Sequence, residues 1–155
     1  MRFTRFAAPL GEILVCGNDQ GLHRLVLAAE EAPDPLEGQR DDAAFDDVRE
    51  QVLGYLAGRR RQFSLELAPG GSEFQRQVWA ALVRIPYGET RTYGDLARRL
   101  GRDGAARAIG AANGANPLPL VIPCHRVVAA DGLGGYSGGT ALKRRLLVLE
   151  GSLPA

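Results

Sequence analysis

Three prolines crowd the segment Asn116-Pro117-Leu118-Pro119-Leu120-Val121-Ile122-Pro123-Cys124-His125-Arg126-Val127-Val128. Each proline lacks a backbone N–H and has a fixed φ, and each restricts the residue before it, so no regular helix can run through this stretch. The spacing predicts a stiff, extended approach, buried by Leu120-Val121-Ile122, that carries Cys124 from the core to the edge of a site. Two ionisable residues follow the cysteine at once, and burying them is costly unless they have partners.

A thiol reacts as its thiolate and needs a base or a positive field to form one near neutral pH. His125 is the available base. A third group should orient it, and Glu150 is the candidate. It ends a helix running from Thr140 to Leu149, just before Gly151, where the helix dipole disfavours a carboxylate. A solvated, frayed helix end accounts for Glu150 as readily. Between these elements lies Gly132-Leu133-Gly134-Gly135-Tyr136-Ser137-Gly138-Gly139, a loop whose backbone amides are free to face a flat ligand. No Gly-Lys-Ser/Thr follows it, so it is not a phosphate-binding loop.

The rest of the chain divides at Ala68-Pro69-Gly70-Gly71, giving expected lobes of 1–68 and 72–155. In the first, Ile13-Leu14-Val15-Cys16 and Leu22 to Leu27 flank Gly17 to Gly21 and read as a β-hairpin. Cys16 falls in its first strand and reads as an inert core residue, and His23 as a surface strand residue. Residues 29–42 read as a loop. Phe45, Val48, Val52, Tyr55 and Leu56 mark one face of a helix that Gly58 ends, and Phe63 to Leu67 alternates like a strand.

The second lobe is mainly helical. Ser72-x-x-Gln75 has the form of a capping box, and Phe74, Val78, Ala81, Leu82 and Ile85 make the apolar stripe of the helix behind it, with Trp79 beside the stripe. Pro86-Tyr87-Gly88 stops that helix. A second helix opens near Thr92, and a third spans 105 to about 115 after the turn Gly101-Arg102-Asp103-Gly104, which is a helix-turn-helix pattern. The third helix, Ala105-Ala106-Arg107-Ala108-Ile109-Gly110-Ala111-Ala112, offers almost nothing able to read base edges in a major groove. It suits close approach to a minor groove with Arg107 reaching into the stack. Tight packing against a neighbouring helix fits the same composition.

Charge is divided. Residues 1–71 carry 8 Arg/Lys against 12 Asp/Glu, and residues 72–155 carry 11 against 6. A basic second lobe suits a polyanion, although chance clustering on a solvated surface fits equally. No apolar run reaches the roughly 20 residues of a bilayer span, and no secretory signal is visible, so a cytoplasmic protein with no membrane partner is expected. Two cysteines make no disulfide framework.

These segments resemble one family. Phe74-Gln75 with Val78-Trp79, Ile85-Pro86-Tyr87-Gly88-Glu89-Thr90, Thr92-Tyr93, Ala106 to Gly110, Asn113 to Pro117, Pro123-Cys124-His125-Arg126-Val127 and Gly135-Tyr136-Ser137-Gly138-Gly139 are similar to the O6-alkylguanine-DNA alkyltransferases, in order, from about Phe63 to Gly151. The resemblance implies an α/β (α+β) fold. A small N-terminal ribonuclease-H-like sheet-and-helix lobe precedes a mainly helical C-terminal lobe with the helix-turn-helix. It implies a monomer that binds double-stranded DNA containing O6-alkylguanine through the minor groove and moves the alkyl group irreversibly to its own Cys124.

On the same resemblance, His125 deprotonates Cys124 through a water, Glu150 holds His125, and Asn116 ties the recognition helix to the active-site loop. Tyr93 crowds the target phosphate and donates towards guanine N3. Arg107 fills the vacated stack, on a surface that includes Thr92, Ala106, Ala108 and Gly110. Val127, Tyr136, Ser137, Gly138 and Lys143 shape the substrate pocket, with the backbone at Cys124 and Val127 accepting from the guanine amino group and Ser137 donating to O6. No metal or cofactor is expected, since Cys16 and His23 alone cannot supply the four ligands of a zinc site. Two other readings are a damage binder that does not react and, with no accompanying peptidase signature, a cysteine hydrolase.

Overall fold

A computed structural model describes residues 1–136 and 138–155. The chain divides into two compact units, Met1–Gly70 and Gly71–Ala155. The first is built on a sheet of β1 (Arg2–Phe6), β2 (Ile13–Asn18), β3 (Gly21–Val26) and β4 (Gln39–Arg40), in the order β3-β2-β1-β4. β2 and β3 form the expected hairpin, antiparallel, with a bulge at Cys16/Gly17. A 3-10 turn (Ala43–Phe45) leads into α1 (Asp46–Leu56), whose Val48, Val52 and Tyr55 are buried. Gly58, at φ +77, ends α1: its amide bonds Tyr55 O, and the Arg59 amide bonds Gly54 O, which satisfies two terminal carbonyls.

Several expectations for this unit need correction. Residues 29–42 are not all loop, because β4 pairs in parallel with β1, Arg2 opposite Gln39 and Phe3 opposite Arg40. The preceding loop is held by Arg5, which donates to Asp34 at 2.6 Å, to Glu12 at 2.7 Å and to the carbonyls of Ala29 and Ala32. Phe63 to Leu67 is not a strand beyond one bridge, Leu22 to Leu67. Its edge is satisfied by a side chain instead: Gln51 of α1 accepts from Ser64 N at 2.8 Å and donates to Ser64 O at 3.2 Å. His23 is half-buried, with its Nε2 out of contact with water, so it is not the surface residue expected.

In the second unit, α2 (Glu73–Val83), α3 (Tyr93–Arg99), α4 (Ala106–Gly114) and α5 (Thr140–Leu149) surround a core that includes Val78, Leu82, Leu96, Ile109, Leu118, Leu146 and Leu147. Ser72 and Gln75 form the anticipated capping box on α2, and Thr92 and Asp95 form a second one on α3. Each cap is worth about 1 kcal/mol. Trp79 is buried and donates Nε1–H to Ala112 O at 2.9 Å, which ties α2 to α4. α3 and α4 are the helix-turn-helix pair, and Gly101, at φ +68, closes the first helix. Two short strands, β5 (Arg91–Thr92) and β6 (Val127–Val128), pair in parallel and bring the start of α3 beside the residues that follow Cys124.

Candidate active site

The approach to Cys124 is a set of tight turns, not the extended segment that its prolines predict. Ile122 N donates back to Leu118 O at 2.8 Å, with Leu120 in the left-handed region at φ +73. Pro123, at φ −79 and ψ 65, then makes an inverse γ-turn in which Cys124 N bonds Ile122 O at 2.7 Å. Asn116 clamps this bulge. Its Nδ2 donates to Ile122 O at 2.8 Å and its Oδ1 accepts from Leu118 N at 3.0 Å. The prolines do exclude helix up to this point. A single 3-10 turn, Cys124–Arg126, follows them.

That turn sends its side chains in different directions. Cys124 reaches a cleft of about 200 Å³ lined by Tyr93, Gly110, Asn113, Gly114, Cys124, Gly135 and Tyr136. This is small for a ligand pocket and suits a single flat ring system. His125 and Arg126 point into the protein, where both meet Glu150. His125 Nε2 lies 2.8 Å from Glu150 Oε2, and Arg126 contacts the same carboxylate through Nε at 2.8 Å and Nη2 at 2.9 Å. All three side chains are buried. A carboxylate can only accept here, so Nε2 carries the imidazole proton and Nδ1 keeps its lone pair. Arg126 also donates to Ile85 O at 2.7 Å and stacks over Tyr87 at 5.6 Å.

Glu150 therefore sits at a helix end because two buried cationic or protonatable partners meet it there. Gly151, at φ +81, closes α5 immediately after it. Lys143 and Glu150 stand at either end of the buried stripe of α5, with Leu146 and Leu147 between them. Lys143 Nζ donates to Val127 O at 2.6 Å and to Gly135 O at 3.1 Å, so one ammonium fastens both ends of the excursion from β6 into the glycine-rich loop.

Electrostatics set the resting state. Burial pushes the Cys124 thiol up, while Asn116, Lys143 and the Cys124 backbone pull it down. Burial pushes His125 below its usual range, Glu150 opposing and Arg126 and Lys143 adding to the shift. Burial also lowers Lys143, to about 8. Tyr93 is raised by burial and by the nearby Cys124, and the Gly135 amide works against that rise. Burial and the neighbouring Cys124 and Glu150 charges raise Tyr136. In the free chain these groups are a thiol, a neutral imidazole and two phenols.

Cys124, Tyr93, Tyr136 and Gly110 thus share the cleft wall, and His125, Glu150 and Lys143 lie behind it. Asn116 braces the turn. Gly138 abuts the wall from outside, since a Cβ there would meet Leu142 at 2.6 Å and the Tyr136 ring at 3.2 Å. The Val127 side chain is buried. Ser137 lies outside the described residues. Thr92 uses its hydroxyl oxygen in the α3 cap, accepting from Asp95 N at 3.1 Å. Ala106, Arg107 and Ala108 are exposed, as are Ala111 and Gly114, while Ile109, Ala112 and Asn113 turn inward. The smooth face of α4 is therefore its outer face, and packing within the chain does not explain it.

Two residues of the site had gone unassigned. Arg126 was signalled by the cost of burying a guanidinium. Asn113 was signalled by its register, since it falls on the inward face of α4 with Ile109 and Ala112. Among the described residues no group of His, Cys, Asp and Glu is placed to hold a metal, and no helix is long and apolar enough to cross a membrane.

Comparison with known proteins decides the family. The 6-O-methylguanine DNA methyltransferase DNA-binding domain matches residues 73–152, and the ribonuclease-like domain of the same proteins matches residues 1–69. The chain belongs to the 6-O-methylguanine DNA methyltransferase family. A methylated-DNA–protein-cysteine methyltransferase of Methanosarcina acetivorans is 42% identical over 155 residues, covering 98% of this chain and 99% of that protein. One from Mycolicibacterium paratuberculosis is 46% identical, covering 92% of this chain and 88% of its own length. Among solved structures, Mycobacterium tuberculosis OGT in complex with DNA superposes with a TM-score of 0.91 at 42% identity, over 98% of this chain and 94% of that one. The α+β fold with a ribonuclease-like first domain is that of the family.

Proposed function

We propose that this chain repairs DNA directly, taking the alkyl group from O6 of a guanine onto Cys124 in one irreversible transfer. The observation that carries this reading is a cysteine on the wall of a ring-sized cleft, backed by the buried His125–Glu150–Arg126 cluster. The O6 atom is inaccessible in a duplex, so the base must leave the stack at a cost of a few kcal/mol. The exposed small-residue face of α4 supports close approach to the minor groove, with Arg107 entering the gap left by the base.

In the cleft the Cys124 proton passes through a water to His125, whose cation Glu150 stabilises. The sulfur attacks the alkyl carbon in line, forming the S–C bond as the C–O6 bond breaks. Tyr93, held as a phenol, donates a proton at guanine N3 as the base departs, and the proton on His125 returns to solvent and restores Tyr93. Such a displacement needs alignment above all, which the Asn116-clamped turn provides. The thioether is stable, so the protein is consumed. Ser137 and the backbone at Cys124 and Val127 would hold the base, with Tyr136 against its alkyl group and Gly138 and Lys143 supporting that wall. The displacement needs no cofactor. Both cysteines are free thiols, which suits a monomer in a reducing cytoplasm.

Burial that keeps Cys124 protonated favours a second reading, a binder that holds the lesion without reacting. One experiment separates them. Duplex DNA carrying O6-methylguanine is incubated with excess protein in a metal chelator and digested to nucleosides. Conversion of O6-methylguanine to guanine is expected, and its full recovery would leave the binder.

A further inference from the structure

Glycines hold Tyr93 from both sides. On one edge its ring lies against Gly110 of α4, where a Cβ would stand 3.8 Å from Cε1. On the other edge Gly134 meets the phenol itself. A Cβ there would lie 3.3 Å from Cε2 and 2.8 Å from Oη, too close for real atoms. Gly134 also sits at φ +73, in the left-handed region that strains any side chain. Two separate constraints keep this position glycine, and together they bring the backbone of the loop against one hydroxyl.

The next amide uses that contact. Gly135 N–H opposes the rise in the Tyr93 pKa, as a donor turned towards the phenol oxygen does. Gly135 is anchored from its other side, since its carbonyl accepts from Lys143 Nζ at 3.1 Å. A phenol oxygen that accepts from the loop must turn its own hydrogen away from the loop, and Tyr93 lines the Cys124 cleft. We propose that Gly135 is a positioning residue of the transfer: its backbone N–H donates to Tyr93 Oη, aims the phenol proton into the cleft and stabilises the phenolate left behind. This assignment rests on the reading of the cleft as an alkyl-transfer site with Tyr93 as proton donor. In that step the Tyr93 O–H bond breaks as the bond from hydrogen to guanine N3 forms, and the electron pair stays on Oη. A fixed amide stabilises such a charge without having to reorganise. The proton that His125 returns to solvent then restores the phenol.

The test is a double-mutant cycle in single-turnover transfer, with saturating protein and duplex DNA carrying O6-methylguanine. Tyr93→Phe should slow transfer about a hundredfold, as loss of a general acid does. Gly134→Ala, whose new Cβ drives the loop and Oη apart, should slow it about thirtyfold while the Kd for the duplex stays unchanged. In the Tyr93→Phe chain the same Gly134→Ala change should cost about threefold or less, because the oxygen it displaces is gone. Equal slowing in both chains is the mark of a purely structural glycine and overturns the assignment. A second measurement needs no change at Gly134. Followed by NMR, the Gly135 amide proton should move upfield and exchange faster in Tyr93→Phe than in the wild type. An unmoved Gly135 signal overturns the assignment even if Gly134→Ala does not fold. Tyr93→Phe transfer at the wild-type rate removes the donor role of Tyr93, and this assignment with it. No transfer by the wild type overturns the alkyl-transfer reading beneath both.

Discussion

Cys16 and Cys124 are buried almost equally, at 6% and 4% exposed, and burial raises the pKa of both thiols. Cys16 sits in β2 beside its bulge, opposite Phe3 on one side and Arg24 on the other, and packs with Phe3, Leu14 and Ala29. Arg24 and Arg5 lower its pKa through their charges alone. Cys124 opens a 3-10 turn on the wall of a cleft, with Asn116 and the Lys143 charge pulling its pKa down and a buried carboxylate behind its neighbour His125. Resting acidity therefore does not tell the two sulfurs apart. What does is the set of directed polar groups around one of them, which comes into use when a substrate fills the cleft.

Four variants separate the surroundings of the two thiols. Cys124→Ser should abolish methyl transfer, a loss of at least about a thousandfold, because a serine hydroxyl stays protonated and is a poor nucleophile. Cys16→Ala should transfer at the wild-type rate in the same nucleoside assay of lesion loss. Glu150→Gln comes next. It leaves Arg126 buried without its counter-charge and puts an NH2 donor where the carboxylate met Arg126 and His125, so unfolding in urea should show a loss of about 3 kcal/mol. Single-turnover transfer should slow about a hundredfold.

Lys143 gives a pH signature that the Cys16 region lacks. Its pKa of about 8 in the folded chain lies below the ordinary 10.5, so between those values the unfolded chain binds more protons than the folded one. Stability must then rise with pH across that window, as the penalty of a buried charge is lifted. The raised Cys124, Tyr93 and Tyr136 groups act in the opposite sense, so the readout is the difference between wild type and Lys143→Met. From pH 8 to 10.5 the wild type should gain about 2 kcal/mol on the variant. The smallest effect belongs to the other thiol: Cys16→Ala should cost about 1 kcal/mol in urea unfolding, a packing loss alone.

Legibility in the sequence followed the range of the interaction. The β2–β3 hairpin and the helices were readable because their signals are local: alternation around a glycine-flanked turn, 3.6-residue stripes, and the capping residues Ser72 and Thr92. β4 was not, because two exposed residues become a strand only by pairing with β1, far away in sequence. Phe63 to Leu67 misled because alternation does not reveal that only its end pairs with Leu22, while Ser64 is held by the Gln51 side chain. The turn before Cys124 depends on Leu120 adopting a positive φ, which no propensity favours. Cys124, His125 and Glu150 could be proposed from chemistry, since a reactive thiol needs a base and a base needs an orienting group. That Glu150 also neutralises Arg126 is a fact of three-dimensional packing.

The central claim is that one sulfur is spent for each lesion removed. The chain is titrated with a rising excess of duplex carrying a single O6-methylguanine, and the protein is weighed intact and mapped by peptide. The account predicts a plateau at one lesion repaired per chain, with one methyl gained and all of it on Cys124. Continued repair beyond that plateau, an unchanged mass, or methyl on Cys16 would contradict it.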